Sequence, residues 1–311
     1  MYWRIPVEKR VSVIIPNYNG RELLAKNLPS VLANCLGCEI IVVDDASTDD
    51  SIQFLKKKYN KIRIVKNTNN LGFAKTANLG VQKANSRLVL LLNSDVSPRN
   101  NFLKVAIKHF ENKNLFAVGI EDYSHESGKI ITKGRGGIKF KKGFFLHFPA
   151  FIERGPTFWV SGGSGLFDRD KFLELGGFDD IYKPFYWEDI DLAFRAWKSG
   201  YTCIFEPLSK VDHFHEQGAI ATQKSRFFIK IVSYKNQFIF AWKNISSYTW
   251  ALEHLLWLPF NIFKAILNFD LAFIAGLAWA LLDLPHLLYD QVFSENSYLL
   301  SDREVVNTYD K

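Results

Sequence analysis

Apolar, β-branched runs recur through the first third of the chain, beginning at Val11 (VSVIIP), Glu39 (EIIVVD), Ile62 (IRIV), Leu88 (LVLLLN) and Phe116 (FAVGI). Their starts lie 28, 23, 26 and 28 residues apart, and residues 22–32 and 50–59 between them have helical spacing. Near-continuous apolar strands alternating with helices predict a parallel sheet buried on both faces. Right-handed crossovers then place helices on each side of it. Farther on, residues 168–175 read as a short helix stopped by Gly176-Gly177. Residues 186–199 read as an amphipathic helix with Ile190, Phe194 and Trp197 on one stripe. Residues 201–205 read as another strand, and 211–215 begin a polar exit.

The pattern changes after about residue 225, where Leu and aromatic residues such as Trp250, Trp257, Phe260, Phe263 and Trp279 dominate. The longest uncharged run there, residues 271–282, has 12 residues between Asp270 and Asp283. A membrane-spanning helix needs about 20. Two readings stay open: helices lying in a membrane interface, or a helical pair packed on the preceding domain or on a second subunit. The chain thus divides into an α/β domain over residues 1–225 and an aromatic-rich helical region over 226–311.

With 311 residues, 48% of them hydrophobic, the chain can bury a large core. A charged fraction of 23% is not that of a disordered chain. The formal charge is +7, and it is concentrated. Residues 123–154 hold seven basic side chains (Lys129, Lys133, Arg135, Lys139, Lys141, Lys142, Arg154) against Glu126 and Glu153, a net +5. Such a segment suits a phosphate-bearing partner or an anionic membrane surface, or it is a solvated basic loop. No nucleic-acid partner is expected, and a homodimer stays open. An odd cysteine count (Cys35, Cys38, Cys203) without framework spacing argues for a reducing, cytoplasmic compartment. Cys35 and Cys38 have no second pair or nearby His, so they read as small apolar residues at a helix end rather than a metal or redox site. Residues 1–10 lack the apolar run of a signal peptide.

Ligands of open α/β sheets bind beyond the carboxyl ends of the strands. Here those ends read Pro16-Asn17-Tyr18-Asn19-Gly20, Asp44-Asp45-Ala46-Ser47-Thr48-Asp49, Asn67-Thr68-Asn69-Asn70-Leu71-Gly72-Phe73 and Asn93-Ser94-Asp95. Each alone is ordinary turn and cap chemistry; four on one rim point to a ligand. Asn93 and Asp95 offer hard oxygen donors at i and i+2, suited to Mg²⁺ or Mn²⁺ against a diphosphate. Glu188-Asp189-Ile190-Asp191 crowds three carboxylates at a helix start. That favours the helix dipole, and it also raises at least one pKa toward the range of a general base. Phe185, Tyr186 and Trp187 precede it as faces for a sugar. His213 and His215, alternate residues on one strand face, offer a further metal ligand.

In ordered sequence, VSVIIPNYNG (11–20), IIVVDDASTDDS (40–51), NNLGFAKTANLG (69–80), LLLNSD (90–95) and GGFDDIYKPFYWEDIDLAFRAWKSGY (176–201) resemble family 2 glycosyltransferases of the GT-A fold, especially their rhamnosyltransferase-like branch. The resemblance covers about residues 11–218. It implies a Rossmann-like, mostly parallel sheet flanked by helices, with the helical C-terminal region as an extension. It implies a UDP- or dTDP-sugar donor, a saccharide or lipid-linked saccharide acceptor, Mg²⁺ or Mn²⁺, and a place at the inner face of the cell membrane. Pro16 and Tyr18 would wall the nucleotide pocket and Asp45 would bind the base. Gly72, Phe73 and Asn78 would belong to a loop closing over the nucleotide. Asn93, Ser94 and Asp95 would be the variant D-x-D triplet, with Asp95 the metal ligand. Trp159 and Gly163 would form the acceptor wall, and Arg195 would brace the site. Asp189 would be the base, supported by Glu188 and Asp191. His215, with Gly218 after it, would complete the metal site, with His213 as the alternative.

A dinucleotide-dependent oxidoreductase would need G-x-G-x-x-G after the first strand, which is absent. A sugar nucleotidyltransferase would need a Gly-rich, Lys-bearing first loop, also absent. A synthase loading sugar onto polyprenyl phosphate is the remaining enzyme alternative. A non-catalytic binding protein is argued against by the presence of both Asp95 and Asp189.

Overall fold

The computed structural model describes residues 11–214, 218, 224–293 and 298–308. The first strands are β1 (Val11–Asn17), β2 (Glu39–Asp44), β3 (Arg63–Lys66) and β4 (Leu88–Leu92), separated by α1 (Arg21–Asn34), α2 (Ser51–Lys58) and α3 (Phe73–Lys83). They run parallel in the order β3-β2-β1-β4. Successive side chains on a strand point to opposite faces. Accordingly Ile14, Ile41, Val43, Val89 and Leu91 share one core with Ala77 and Val81 of α3. Val13, Ile15, Val42 and Leu90 share the other with Leu24 and Leu28 of α1 and Leu55 of α2.

The next elements are β5 (Val96–Pro98), α4 (Phe102–Lys108) and β6 (Leu115–Glu126). The basic segment forms β7 (Lys129–Lys133), β8 (Gly136–Lys141), β9 (Phe144–Pro149) and β10 (Gly155–Pro156). β11 (Ser164–Asp168), α5 (Arg169–Glu174), α6 (Glu188–Lys198) and β12 (Thr202–His213) follow. The sheet is mixed rather than parallel throughout. β6 does not join β4; β11 lies between them, antiparallel to both. β12 then runs parallel to β6, giving the order β10-β12-β6-β11-β4-β1-β2-β3, with β5 on β12 and β7 on β6. β8 and β9 form a separate hairpin. β11 hides in a Gly-rich stretch because its close packing demands Gly: a Cβ on Gly165 would meet Val160 at 2.4 Å and the Ser161 carbonyl at 2.6 Å.

After residue 225 come α7 (Arg226–Asn244), α8 (Tyr248–Leu267), α9 (Leu271–Phe293) and α10 (Asp302–Asn307). α7 packs into the α/β core: Phe238 and Phe240 are fully buried, and their cluster includes Phe145, Phe158 and Phe194. α9 approaches α7 so closely at Gly276 that a Cβ there would lie 2.7 Å from that of Tyr234. Among the described residues no helix is long and apolar enough to cross a membrane.

Candidate active site

The Asn and Asp residues at the ends of β1 and β2 bind one another. Asn17 Nδ2 donates to Asp44 Oδ1 (3.1 Å) and to Ser47 Oγ (3.2 Å), while Asn19 Oδ1 accepts from the Thr48 amide (2.7 Å). Asp44 is fully buried and also accepts from the Ser47 amide. This mesh leaves Pro16 and Tyr18 half-buried on the rim. Asp45 accepts from Asn67 Nδ2 (2.7 Å), the Leu71 amide (2.8 Å) and the Gly72 amide (2.8 Å). Its carboxylate thus shapes the loop after β3, and Gly72, at φ 85°, turns that loop into α3. Phe73 and Asn78 lie within α3, not in a loop. Asn78 pairs both ways with the Phe178 backbone (2.8 and 2.9 Å), tying α3 to the Gly-Gly-Phe turn.

Asn93-Ser94-Asp95 joins β4 to β5. The Asn93 amide donates to the Gly163 carbonyl (2.9 Å), and Asn27 Nδ2 donates to the Ser94 carbonyl (2.9 Å). β5 pairs with the end of β12, His213 opposite Val96, so His213 faces the triplet. His213 Nε2 lies 3.3 Å from Asp95 Oδ1 and its Nδ1 lies 2.7 Å from Asp122 Oδ2 on β6. Burial pulls the histidine pKa down, but the two carboxylates outweigh it and push it up to about 9, so a cation bound at Nε2 would displace its proton. Two donors on one octahedral Mg²⁺-like ion, each about 2.1 Å from it, would stand about 3 Å apart. The Asp95–His213 separation fits that, and a carboxylate behind the ring is the usual support of a metal-bound histidine. The two are a pair only: among the described residues, no three His, Cys, Asp or Glu are grouped to hold a metal. His215 lies outside the described residues.

The opposite wall is the start of α6. Tyr186 (φ 70°) and Trp187 (φ 77°) both sit in the left-handed region, which is costly for side chains of this bulk. Asn236 of α7 holds them there, its Nδ2 donating to the carbonyls of Tyr182 (2.7 Å), Phe185 (2.9 Å) and Tyr186 (2.9 Å). Glu188 and Asp189 follow at once. Burial, with the Asp189 charge second, pushes Glu188 up to about 8; burial pushes Asp189 up to about 6. Asp189 Oδ1 accepts from the Ile190 amide (2.9 Å) and Oδ2 faces the Gly162 amide at 3.5 Å. Asp191, wholly buried, accepts instead from Tyr182 Oη (2.9 Å), Arg195 Nε (2.8 Å), Lys243 Nζ (3.0 Å) and Asn244 Nδ2 (2.9 Å). Burial opposes its charge, yet Lys243 and Arg195 hold its pKa below the usual carboxylate range. Arg195 also donates to the carbonyls of Leu175 and Gly177, so it braces the turn rather than lining the cleft.

Two expectations arise here. Asn236→Asp removes the donors that hold residues 185–187, so catalytic turnover should fall by at least about 10-fold, each lost bond being worth about 1 kcal/mol or more. Steady-state kinetics and a melting curve check this; unchanged turnover would detach α7 from the site. Glu188 binds its proton more tightly folded than unfolded, since its pKa rises from 4.5 to about 8. It therefore costs stability as pH rises through that window. Glu188→Gln should raise the melting temperature at pH 8.5 relative to the parent and gain little at pH 4.

Short steps connect the two walls. Asp189 faces Gly162, the next residue accepts from Asn93, and Asn93 lies two positions from Asp95. A Cβ on Gly163 would lie 2.6 Å from Asn93 Nδ2, so glycine lets the strands close here. Trp159 lies against Gly136, where a Cβ would meet its ring at 2.0 Å. One residue in this wall was absent from the sequence-based set: His147 of β9, edge-on to Trp159 (5.4 Å) and Trp187 (5.3 Å). Desolvation by these neighbours lowers its pKa although the residue keeps an exposed edge. Its only sequence signal was a His, one of two with His125, in a basic segment.

Residues 12–176, more than half of the chain, match the family described as Glycosyl transferase family 2. The chain belongs to that family. Within the family and around it, the chain is 32% identical over 175 residues to an uncharacterized glycosyltransferase of Rickettsia felis, covering 54% of this chain and 28% of that protein. It is 24% identical over 215 residues to the pre-mycofactocin glycosyltransferase of Mycobacterium tuberculosis, covering 68% and 44%. The chain therefore spans less than half the length of these relatives. Among solved structures, GalNAc-T7 with UDP, GalNAc and Mn²⁺ superposes at a TM-score of 0.63 with 18% identity, over 77% of this chain and 49% of that one. The mannosyltransferase PcManGT of Pyrobaculum calidifontis, with GDP-Man and Mn²⁺, superposes at 0.55 with 18% identity, over 95% and 81%. Both share the mixed sheet with flanking helices.

Proposed function

We propose that this chain is an inverting glycosyltransferase moving a sugar from a UDP- or dTDP-linked donor to a hydroxyl of a saccharide or lipid-linked saccharide, in surface polysaccharide or glycan synthesis at the inner face of the cell membrane. What carries it is the run of contacts that leads from Asp189 through Gly162, Gly163 and Asn93 to the Asp95–His213 pair. The solved structures of the same fold that hold UDP or GDP-mannose with Mn²⁺ support a nucleotide-sugar donor.

Asp95 and His213 would hold a divalent cation, which when bound offsets charge on the leaving diphosphate. Pro16, Tyr18 and Asp45 would line the nucleotide side, with Asp45 acting also through the loop it ties down. Asp189 takes the proton of the acceptor hydroxyl while that oxygen bonds to the anomeric carbon. The bond from that carbon to the diphosphate oxygen breaks, and the nucleoside diphosphate leaves. Glu188, neutral below about pH 8, keeps a second full charge away from Asp189. Trp159 and His147 would offer ring faces and edges to the acceptor sugar, with Trp187 buried behind them. Asp191 and Arg195 position α6.

Release of nucleoside diphosphate from a panel of UDP-, dTDP- and GDP-sugars with Mn²⁺ tests the reading. A lipid-linked saccharide and a polyprenyl phosphate serve as separate acceptors. Turnover with the saccharide supports it, and its rate should rise with pH through about 6 as Asp189 loses its proton. Transfer to the lipid phosphate alone would make the chain a polyprenyl-phosphate sugar synthase instead.

A further inference from the structure

α8 wears its apolar stripe on the outside. Of its 20 residues only Trp250, His254 and Ala265 are buried. Leu252, Leu255, Leu256, Phe260, Phe263 and Leu267 are between 48% and 70% exposed. Their spacing of three and four residues puts them on one helical face. That row extends about 22 Å at 1.5 Å per residue, and it continues around the turn into Phe269 (87% exposed) and Leu271 (65%). A contiguous apolar surface of this kind marks a site of association.

A group of lysines beside it is held in place by the β8–β9 turn. The β8–β9 turn is docked on α8: His254 Nδ1 lies 2.6 Å from the Gly143 carbonyl, and Asn261 Nδ2 donates to the Lys142 carbonyl (3.1 Å). Gly143 is needed for that approach, since a Cβ would lie 2.9 Å from the His254 Cα. The docking sets Lys142 beside Trp257, its Nζ 5.6 Å from the ring centroid. Lys139, Lys141 and Lys142 are exposed, as is Lys264 of α8 itself.

We propose that the outer face of α8, flanked by these lysines, docks flat on an anionic lipid bilayer. This deepens the membrane contact included in the function proposed above, but it rests on α8 and the β8–β9 turn alone. The helix would sink its Leu and Phe row among the acyl chains while the lysines meet the headgroups. A second copy of the chain fits the surface less well. Glu253 is the one carboxylate in α8, so a copy's stripe would bury the apolar row and leave the lysines without anions. A bilayer bearing anionic lipid satisfies both parts.

Flotation of the full chain with vesicles of phosphatidylcholine, with and without phosphatidylglycerol, tests this. The wild type should bind the anionic vesicles at least about 10-fold more tightly than the neutral ones. Leu256→Glu with Phe263→Glu should abolish binding, and Lys141→Glu with Lys142→Glu should bring anionic vesicles down to the neutral level. Both pairs alter exposed side chains, and an unchanged melting temperature confirms their fold. Failure of the wild type to bind either vesicle overturns the proposal, as does binding that survives the Glu pair. So does a dimer in vesicle-free solution that the Glu pair converts to monomer while vesicles go unbound. Because the readout is vesicle binding, a chain without transferase activity would leave this result unchanged.

Discussion

Asp189→Asn should reduce sugar transfer by about 10³-fold, the range that a positioned general base contributes. An amide has nearly the same shape as the carboxylate, so the Ile190 amide contact at Oδ1 can persist. What is lost is the ability to take a proton at a group whose burial has brought its pKa up to about 6. Donor binding should stay within about twofold, because the residues proposed for the nucleotide lie across the cleft. Measuring transfer and donor affinity on the same preparation separates the two effects. An equal loss of both would place Asp189 on the donor instead and leave the base unassigned.

Asp191→Ala should act quite differently, destabilising the fold by about 3–5 kcal/mol, as removal of one partner from a buried charge network does. The substitution removes the carboxylate that Arg195, Lys243, Tyr182 and Asn244 share, although Lys243 keeps Asp179 and Arg195 keeps the Leu175 and Gly177 carbonyls. The sign of the pH effect follows from its lowered pKa: the stabilisation is present above the unfolded carboxylate value near 3.8 and is lost as pH falls through the lower folded value. Denaturant unfolding at neutral and acid pH measures it, and any activity loss should track the unfolded fraction. A variant that keeps its stability and yet loses turnover would give Asp191 a part in the chemistry rather than in the bracing of α6.

Much of this was legible in the sequence for a simple reason. Strands buried on both faces must be apolar almost throughout, and the observed β1, β2, β4 and β6 begin within one residue of the runs at Val11, Glu39, Leu88 and Phe116, as does the half-exposed edge strand β3 at Ile62. The period also gave the rim. Pairing order is another matter, because it depends on contacts distant in sequence. Nothing local to Ser164–Asp168 says that this Gly-bearing strand inserts between β4 and β6. The same limit applies to the histidines. His213 and His215 share a strand face by periodicity, but only the pairing of β12 with β5 and β6 turns His213 toward Asp95 and Asp122. Asn236, Lys243 and Asn244 read as interruptions in an aromatic helix, whereas their partners are backbone carbonyls and carboxylates about 50 residues or more away in the chain. The composition of the C-terminal region announced aromatic-rich helices, and left open whether they would pack on the preceding domain or face a membrane. α7 does so, and α8 faces outward.

A nucleoside diphosphate and a divalent ion should bind together at Asp95. Thermal shift with UDP alone, Mn²⁺ alone and both, on the parent chain and on Asp95→Ala, reads it most directly, since a ligand that binds only the folded state raises the melting temperature. The shift with both ligands should exceed the sum of the separate shifts in the parent and vanish in Asp95→Ala. An equal shift in the two proteins, or one indifferent to Mn²⁺, would contradict it.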